Sequence, residues 1–394
     1  MDRRRLLAKD RVRERLLQSC GKDTLIPLND FARQWQEVRE SVLQAVEGVG
    51  RSGWYILGRE VAGFETALAE YWGLPEGAGV GSGLDAIELS LRALGCGPGD
   101  KVLTTPLSAF ATTLAILKIG AVPVFADTDA YGLLDLDQCR EILRSRSGIR
   151  FLVPVHLYGH ALDMRGLQAI ARDFDCRIVE DCAQSIGASH NGIATGTAGR
   201  MAATSFYPTK NLGALGDGGA VLTGDPELAR MVRSLRDYGQ NSKYRHDVIG
   251  YNSRLDELQA AILHRALLPR LPVWTARRRE IAERYLGGIR NPALRVPGAP
   301  PGSDSCWHLF PVFVESGEKA EFRAWMESRG VASGEHYPIA VPDQPAMQSA
   351  AHELATPIET ARRLCGSEVS LPMFPYLTEE EIDRVIEACN EWKA

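Results

Sequence analysis

Lys210 stands in the run Ser205-Phe-Tyr-Pro-Thr-Lys210-Asn-Leu-Gly-Ala-Leu-Gly-Asp-Gly-Gly219, with four glycines in the nine residues that follow it. Glycine lets the backbone approach a ligand closely and adopt positive φ. A desolvated lysine sheds its proton, and the neutral amine is a nucleophile toward carbonyl groups. The chain has only eight lysines, at 9, 22, 101, 118, 210, 243, 319 and 393, so arginine serves as the general surface cation. Taken alone, a Lys-Asn pair in a loop is an ordinary solvated lysine. Three further clusters change that reading.

Gly79-Val-Gly-Ser82-Gly83-Leu84-Asp85 precedes an apolar-periodic segment (Ile87, Leu89, Leu91, Leu94), which places it at a helix N-terminus. Backbone N–H groups there make an anion site, commonly for phosphate. The run fits neither the dinucleotide fingerprint nor a Walker loop, and alone it reads equally well as a plain N-cap. Asp181, in Val179-Glu-Asp181-Cys-Ala-Gln184-Ser, ends an apolar strand, where a carboxylate can reach into a site. Phe110 sits at a strand–helix junction, and Ser205 lies five residues before the lysine. Each residue has a bland structural explanation by itself. Together they supply an anion cradle, a flat aromatic, a carboxylate and an amine. Pyridoxal phosphate needs all four: a phosphate site, a ring stacker, a partner for the pyridinium and a Schiff-base lysine.

The elements that must position these residues follow from the pattern. Short β-rich runs at 101–105, 122–125, 150–155, 177–180, 204–207 and 220–223 alternate with helical segments, which predicts an α/β domain with a mostly parallel sheet. In such sheets ligands gather at the carboxyl ends of the strands. Helices are expected at about 31–49, 60–72 and, interrupted near Pro269 and Pro272, 254–286; a strand at 308–314 and helices at 319–329 and 378–391 complete a small α+β domain. A length of 394 residues suits two domains. The division expected is an Arg-rich helical extension at 1–24, a large domain at 25–265 and a small C-terminal domain at 266–394.

Composition narrows the class. Hydrophobic content of 45% and charged content of 24% are ordinary for a soluble globular protein. A net charge of -5 argues against nucleic acid as a partner. No apolar run approaches the ~18 residues that span a bilayer, and no secretory signal follows Arg3-Arg4-Arg5. The eight cysteines form no C-x-x-C pair and read as reduced thiols of a cytoplasmic protein. His156 and His160 are four apart, but Gly159 and the preceding strand argue against one helical face, so no metal is expected.

The ordered motifs Gly-Ser-Gly-Leu-Asp-Ala (81–86), Gly-Pro-Gly-Asp (97–100), Pro-Val-His-Leu-Tyr-Gly (154–159), Glu-Asp-Cys-Ala-Gln-Ser (180–185), the Lys210 run and Asn-Ser-Arg-Leu-Asp-Glu-Leu-Gln-Ala-Ala (252–261) resemble the DegT/DnrJ/StrS family of pyridoxal-phosphate sugar aminotransferases. The resemblance implies a fold-type I aminotransferase. It makes Lys210 the Schiff-base lysine and proton shuttle, and Asp181 the partner of the ring nitrogen. It sets Gln184 against the ring hydroxyl, Phe110 on the ring, and Ser82, Gly83, Leu84 and Ser205 at the phosphate. Asn252 would reach the phosphate from a partner subunit, implying a homodimer with shared sites. His336 and Tyr337 match a loop near the substrate. Leu84 replaces a threonine common in the family and, with Tyr238-Gly239 and Lys243-Tyr244, looks like members acting on 3-keto sugars. The text after Pro338 departs from the family's. The implied substrates are a nucleotide-linked keto-deoxysugar, 3-keto rather than 4-keto, and L-glutamate as amino donor. A cyclitol-ketone aminotransferase and a non-catalytic regulatory homologue are the alternatives. A dehydratase would carry histidine in place of Lys210.

Overall fold

The computed structural model describes residues 25–394, so the extension expected at 1–24 lies outside the described residues. Two helices come first, α1 (Phe31–Ser52) and α2 (Arg59–Trp72). The main elements that follow are β1 (Glu76–Val80), α3 (Gly83–Ala93), β2 (Lys101–Thr104), α4 (Phe110–Lys118), β3 (Val122–Phe125), α5 (Leu136–Ser145), β4 (Ile149–Val153), α6 (Met164–Asp173), β5 (Arg177–Asp181), β6 (Met201–Ser205), β7 (Gly219–Thr223) and α7 (Pro226–Leu235). Beyond them come α8 (Glu257–Ile262), α9 (Leu271–Gly288), β8 (Leu294–Arg295), β9 (Phe310–Val314), α10 (Lys319–Ser328), β10 (Glu353–Leu354), α11 (Glu359–Ser367), β11 (Glu368–Leu371) and α12 (Glu379–Glu391).

Eight strands form one sheet in the order β1-β7-β6-β5-β4-β2-β3-β10. The run from β6 to β10 is parallel, and β7 is antiparallel to both β6 and β1. This is the mixed, mostly parallel α/β sheet that the alternation predicts. Its strands are apolar on both faces because helices cover both sides. Ile87, Leu89 and Leu91 of α3 and Ile116 of α4 are buried with Val102, Val179 and Val221 of the sheet. Val61, Phe64 and Leu68 of α2 share another core with Phe206 and Leu222. A separate three-stranded antiparallel sheet, β8-β9-β11, packs with Tyr285, Phe322, Met326 and Ile382 in its own core.

Two short strands depart from the sequence expectation, and one long helical stretch follows it. The strand placed at 204–207 runs instead from Met201 to Ser205. Its two alanines are buried but carry weak β propensity, while Phe206 leaves the sheet to pack edge-on against Phe64 at 5.3 Å. The stretch 254–286 is helical from Glu257 and is interrupted where expected, by a π turn (Leu263–Leu267) and a 3₁₀ turn (Leu268–Arg270) at Pro269 before α9. A proline lacks the N–H that a continuous helix needs. The second departure is β10, two residues that join the large sheet parallel to β3. A two-residue strand has no period to read.

Consecutive strand residues point to opposite faces, so the adjacent acids Glu180 and Asp181 at the end of β5 part company. Glu180, fully buried, accepts from the amides of Gly196 (2.7 Å), Ala198 (2.8 Å) and Gly199 (2.7 Å) and lies 2.9 Å from His156 Nε2. Glu180→Ala orphans those donors and should lower unfolding free energy by about 3–5 kcal/mol in urea titration. A loss below about 1 kcal/mol would show that the carboxylate does not anchor the 196–199 loop.

Candidate active site

The Lys210 loop is a closed excursion between two antiparallel strands. Ser205 pairs with Gly219 in the β6–β7 ladder, Phe206 N–H donates to Gly218 C=O (2.8 Å), and Ala214 N–H donates to Phe206 C=O (2.8 Å). A side chain at Gly213 would lie 2.2 Å from the Pro208 carbonyl, so glycine there is a steric requirement. Lys210 N–H donates to Tyr207 C=O at 2.8 Å, the turn that presents the side chain. That side chain lines a narrow cavity with Asn29, Asn211 and Arg278. Burial lowers the Lys210 pKa to about 8, and the Asp181 charge only partly opposes the shift. The side chain keeps some accessible surface because it faces the cavity, but the surrounding protein still denies the ammonium full hydration.

Asp181 is locked through its backbone on both sides: its N–H donates to Pro154 C=O (2.9 Å) and its C=O accepts from His156 N–H (3.1 Å). Its Oδ2 accepts from Thr112 Oγ1 (2.7 Å) and its Oδ1 from Ala183 N–H (3.0 Å). Gln184 uses its carbonyl to accept from Tyr158 N–H (2.7 Å), which leaves the amide NH₂ to donate toward Tyr337 Oη at 3.3 Å. Tyr158 Oη donates to the His336 carbonyl at 2.9 Å. The carboxylate, the amide and the His336-Tyr337 segment are therefore one connected group, with Lys210 within electrostatic range of Asp181, His308 and His336.

The turn expected to hold an anion packs against the ends of β6 and β7. Ser82 caps α3 by accepting from Asp85 N–H (3.1 Å), and the amides of Gly83 and Leu84 in that first turn have no intrahelical acceptor. A Cβ on Gly83 would meet Ser205 Cβ at 2.5 Å, which brings the Ser205 hydroxyl against the helix start. Phe110 opens α4 and is partly buried against a small cluster containing Phe125, Val341 and Met347. Asn252 stands apart: it is exposed, and its backbone bridges to Asp237. Its neighbour Ser253 makes the contact with the turn, accepting from Gly81 N–H (3.0 Å) and donating to Asp85 Oδ2 (2.8 Å).

Sequence reasoning overlooked Thr112, Tyr158, Ser253 and His308. Thr112 could have been found as the first of two hydroxyls in an otherwise apolar helix start, two residues after Phe110. His308 Nδ1 lies 3.1 Å from Asn211 Oδ1, and burial, followed by the charges of Lys210 and Arg278, keeps the ring neutral. Among the described residues His156, Glu180 and Cys182 bring metal-ligand atoms within 4.8 Å of one another. The Glu180 oxygens already accept from three amides and contact His156, whose Nδ1 accepts from Leu162 N–H (3.1 Å), so the cluster is internally satisfied.

A lowered lysine pKa predicts a neutral amine between pH ~8 and ~10.4, where an exposed lysine is still protonated. Reductive methylation of cofactor-free protein, read by peptide mass spectrometry, should label Lys210 with a half-maximal rate near pH 8. A midpoint above about 10 would refute the desolvated amine.

Comparison with known proteins gives the geometry its relatives. Residues 36–390 match the DegT/DnrJ/EryC1/StrS aminotransferase family. The chain is 41% identical over 378 residues to the dTDP-3-amino-3,4,6-trideoxy-alpha-D-glucose transaminase of Streptomyces venezuelae, covering 95% of this chain and 98% of that protein. The crystal structure of S. venezuelae DesV superposes with a TM-score of 0.88 at 40% identity, over 93% of this chain and 98% of that one. NtdA of Bacillus subtilis, solved with bound cofactor PMP, has a TM-score of 0.84 at 29% identity, over 93% and 84% of the two chains. The chain belongs to the DegT/DnrJ/EryC1/StrS aminotransferase family.

Proposed function

We propose that this aminotransferase moves an amino group from an amino acid, with L-glutamate the expected donor, to C3 of a keto-deoxysugar carried on a nucleoside diphosphate. The observation that carries the reading is Lys210, an amine whose proton is loosened to about 8 by burial within range of the Asp181 carboxylate. The S. venezuelae relative is named for a 3-amino product, which together with Leu84 favours C3 over C4.

Pyridoxal phosphate is the family's cofactor, and the residues fit it: a glycine-built turn, open helix-start amides, a hydroxyl at Ser205 and a neutral-prone lysine. When bound it supplies a carbonyl for the lysine and an electron sink. Gly83, Leu84 and Ser205, with Ser82 shaping the turn, would hold its phosphate, and Phe110 would lie along its ring. Asp181, steadied by Thr112 and Ala183, would accept from the ring nitrogen; Gln184, whose NH₂ has one proton to spare beside the one directed at Tyr337 Oη, would face the ring hydroxyl. Lys210 Nζ, once free as the neutral amine, would take the proton from the donor carbon that bears the nitrogen and deliver it to the carbon on the far side of that nitrogen. His308 and His336, both held neutral, add no competing charge beside that amine.

A homodimer with shared sites is part of the proposal. Tyr207 and Leu215, which flank Lys210 in its loop, are each 53% exposed, and Asn252 is exposed near the turn; a second copy would cover all three. The seven described cysteines are unpaired and buried, which supports a reducing, cytoplasmic setting. Among the described residues no helix is long and apolar enough to cross a membrane.

Lys210→Ala should cut turnover by more than about 10³-fold with little change in melting temperature. Retention of a tenth of wild-type activity would refute the role. Asp181→Asn should cost on the order of 10²-fold, as expected for loss of one preorganised charge. Both are read from 2-oxoglutarate release with glutamate and a panel of nucleotide-linked 3-keto and 4-keto sugars, where parallel double-reciprocal lines are expected. Turnover of a cyclitol ketone and of none of the nucleotide sugars would overturn the substrate assignment.

A further inference from the structure

Three side chains form a relay behind the ring of His336. Glu368, 1% exposed at the start of β11, accepts from the His336 backbone N–H through Oε2 (2.6 Å) and from Ser370 Oγ through Oε1 (2.5 Å). Ser370 Oγ lies 2.9 Å from His336 Nδ1. The backbone holds the register, because Gly334 and Ser370 exchange two hydrogen bonds, at 3.0 and 2.9 Å. The other ring nitrogen, Nε2, has no hydrogen-bond partner among the described residues, and the ring lines a cavity of about 150 Å³ with Thr209, His308 and Leu371.

Proton counting fixes the direction of the relay. A serine hydroxyl has one proton. While Glu368 is ionised, that proton goes to the carboxylate, so Ser370 must accept from Nδ1–H and Nε2 is left as a bare acceptor. Protonating Glu368 reverses the chain: the carboxylic acid donates to Ser370, Ser370 donates to Nδ1, and the ring proton moves to Nε2. We infer that Glu368, acting through Ser370, sets which nitrogen of His336 carries the proton, and thereby whether the ring accepts or donates toward the substrate cavity. Glu368 and Ser370 are positioning residues. The consequence for the acceptor sugar, an Nε2 that receives a sugar hydroxyl, rests on the proposed function; the relay itself does not.

Both states are within reach of neutral pH. Burial pushes the Glu368 carboxyl up to about 7, outweighing the Ser370, His336 and Lys319 contributions that favour its charged form; Glu335 adds a smaller upward push. Cys365, Tyr158 and Tyr337 also face it and stay neutral because burial raises each of them. Burial and Lys210 lower the His336 pKa to about 4, so the ring changes tautomer rather than charge.

The test is ¹⁵N-histidine NMR of the holoenzyme, with the His336 signals identified by their loss in His336→Asn. At pH 8.5 the wild type should show Nδ1–H, and at pH 6 it should shift toward Nε2–H. In Glu368→Gln the amide oxygen keeps the His336 N–H and the NH₂ faces Ser370, so Nε2–H should persist at both pH values. Ser370→Ala, which spares the buried carboxyl, should abolish the pH response. An unchanged tautomer in both variants would overturn the relay. KM for the keto sugar should rise roughly tenfold in Glu368→Gln at pH 8.5, the loss of about one hydrogen bond, with kcat changed less. An unchanged KM beside a flipped tautomer would overturn the link to the acceptor while leaving the aminotransferase reading intact.

Discussion

Two carboxylates in sequence at the end of one buried strand are the constraint on which the site depends. Glu180 and Asp181 must both be compensated, and the alternation of a strand sends them to opposite faces. Glu180 is spent on structure, holding the 196–199 loop and His156. Among the described residues the Asp181 carboxylate receives only Thr112 and the Ala183 amide, which orient it and leave acceptor capacity for something else. The division between scaffold and site is thus made within one dipeptide.

The same logic governs the lysine. A short antiparallel return between β6 and β7 closes the loop at Ser205 and Gly219, and the closure, with Leu212 and Ala214 buried in the core, holds one amine in place. Water is kept from that amine by residues far away in sequence, including Arg278, which donates to the carbonyls of Trp307, His308 and Met373 and so holds the 307–308 segment beside Lys210. Desolvation is then the leading cause of the lowered pKa at Lys210, His308 and His336 alike. A pocket full of neutral bases is suited to proton transfer and poorly suited to holding a structural charge.

Legibility in the sequence followed the length of the signal. The parallel core could be read from alternation because β2 to β5 are apolar runs separated by helices with clear periodicity. Helices α1, α2, α10 and α12 fell within a few residues of expectation because each has an apolar stripe and a turn residue or cap at one end. The strand at Met201–Ser205 was misplaced because alanine is a weak strand former and burial, not propensity, holds it there. β10 was invisible because two residues carry no pattern.

The sequence by itself determined the chemical inventory: which residue types were present, their order, and the family frame that gave Lys210, Asp181, Gln184 and Ser205 a common purpose. It could not say what each side chain already touches. Only the tertiary structure decided that Asp181 leans on Thr112, that Gln184 joins the Tyr158 amide to the Tyr337 hydroxyl, that Ser253 rather than Asn252 meets the glycine turn, and that His336 is wired to Glu368 through Ser370. The reason is physical. Residue type sets what a group can donate or accept, whereas its remaining capacity depends on neighbours that the fold brings in from more than sixty residues away, as with Thr112 and Asp181.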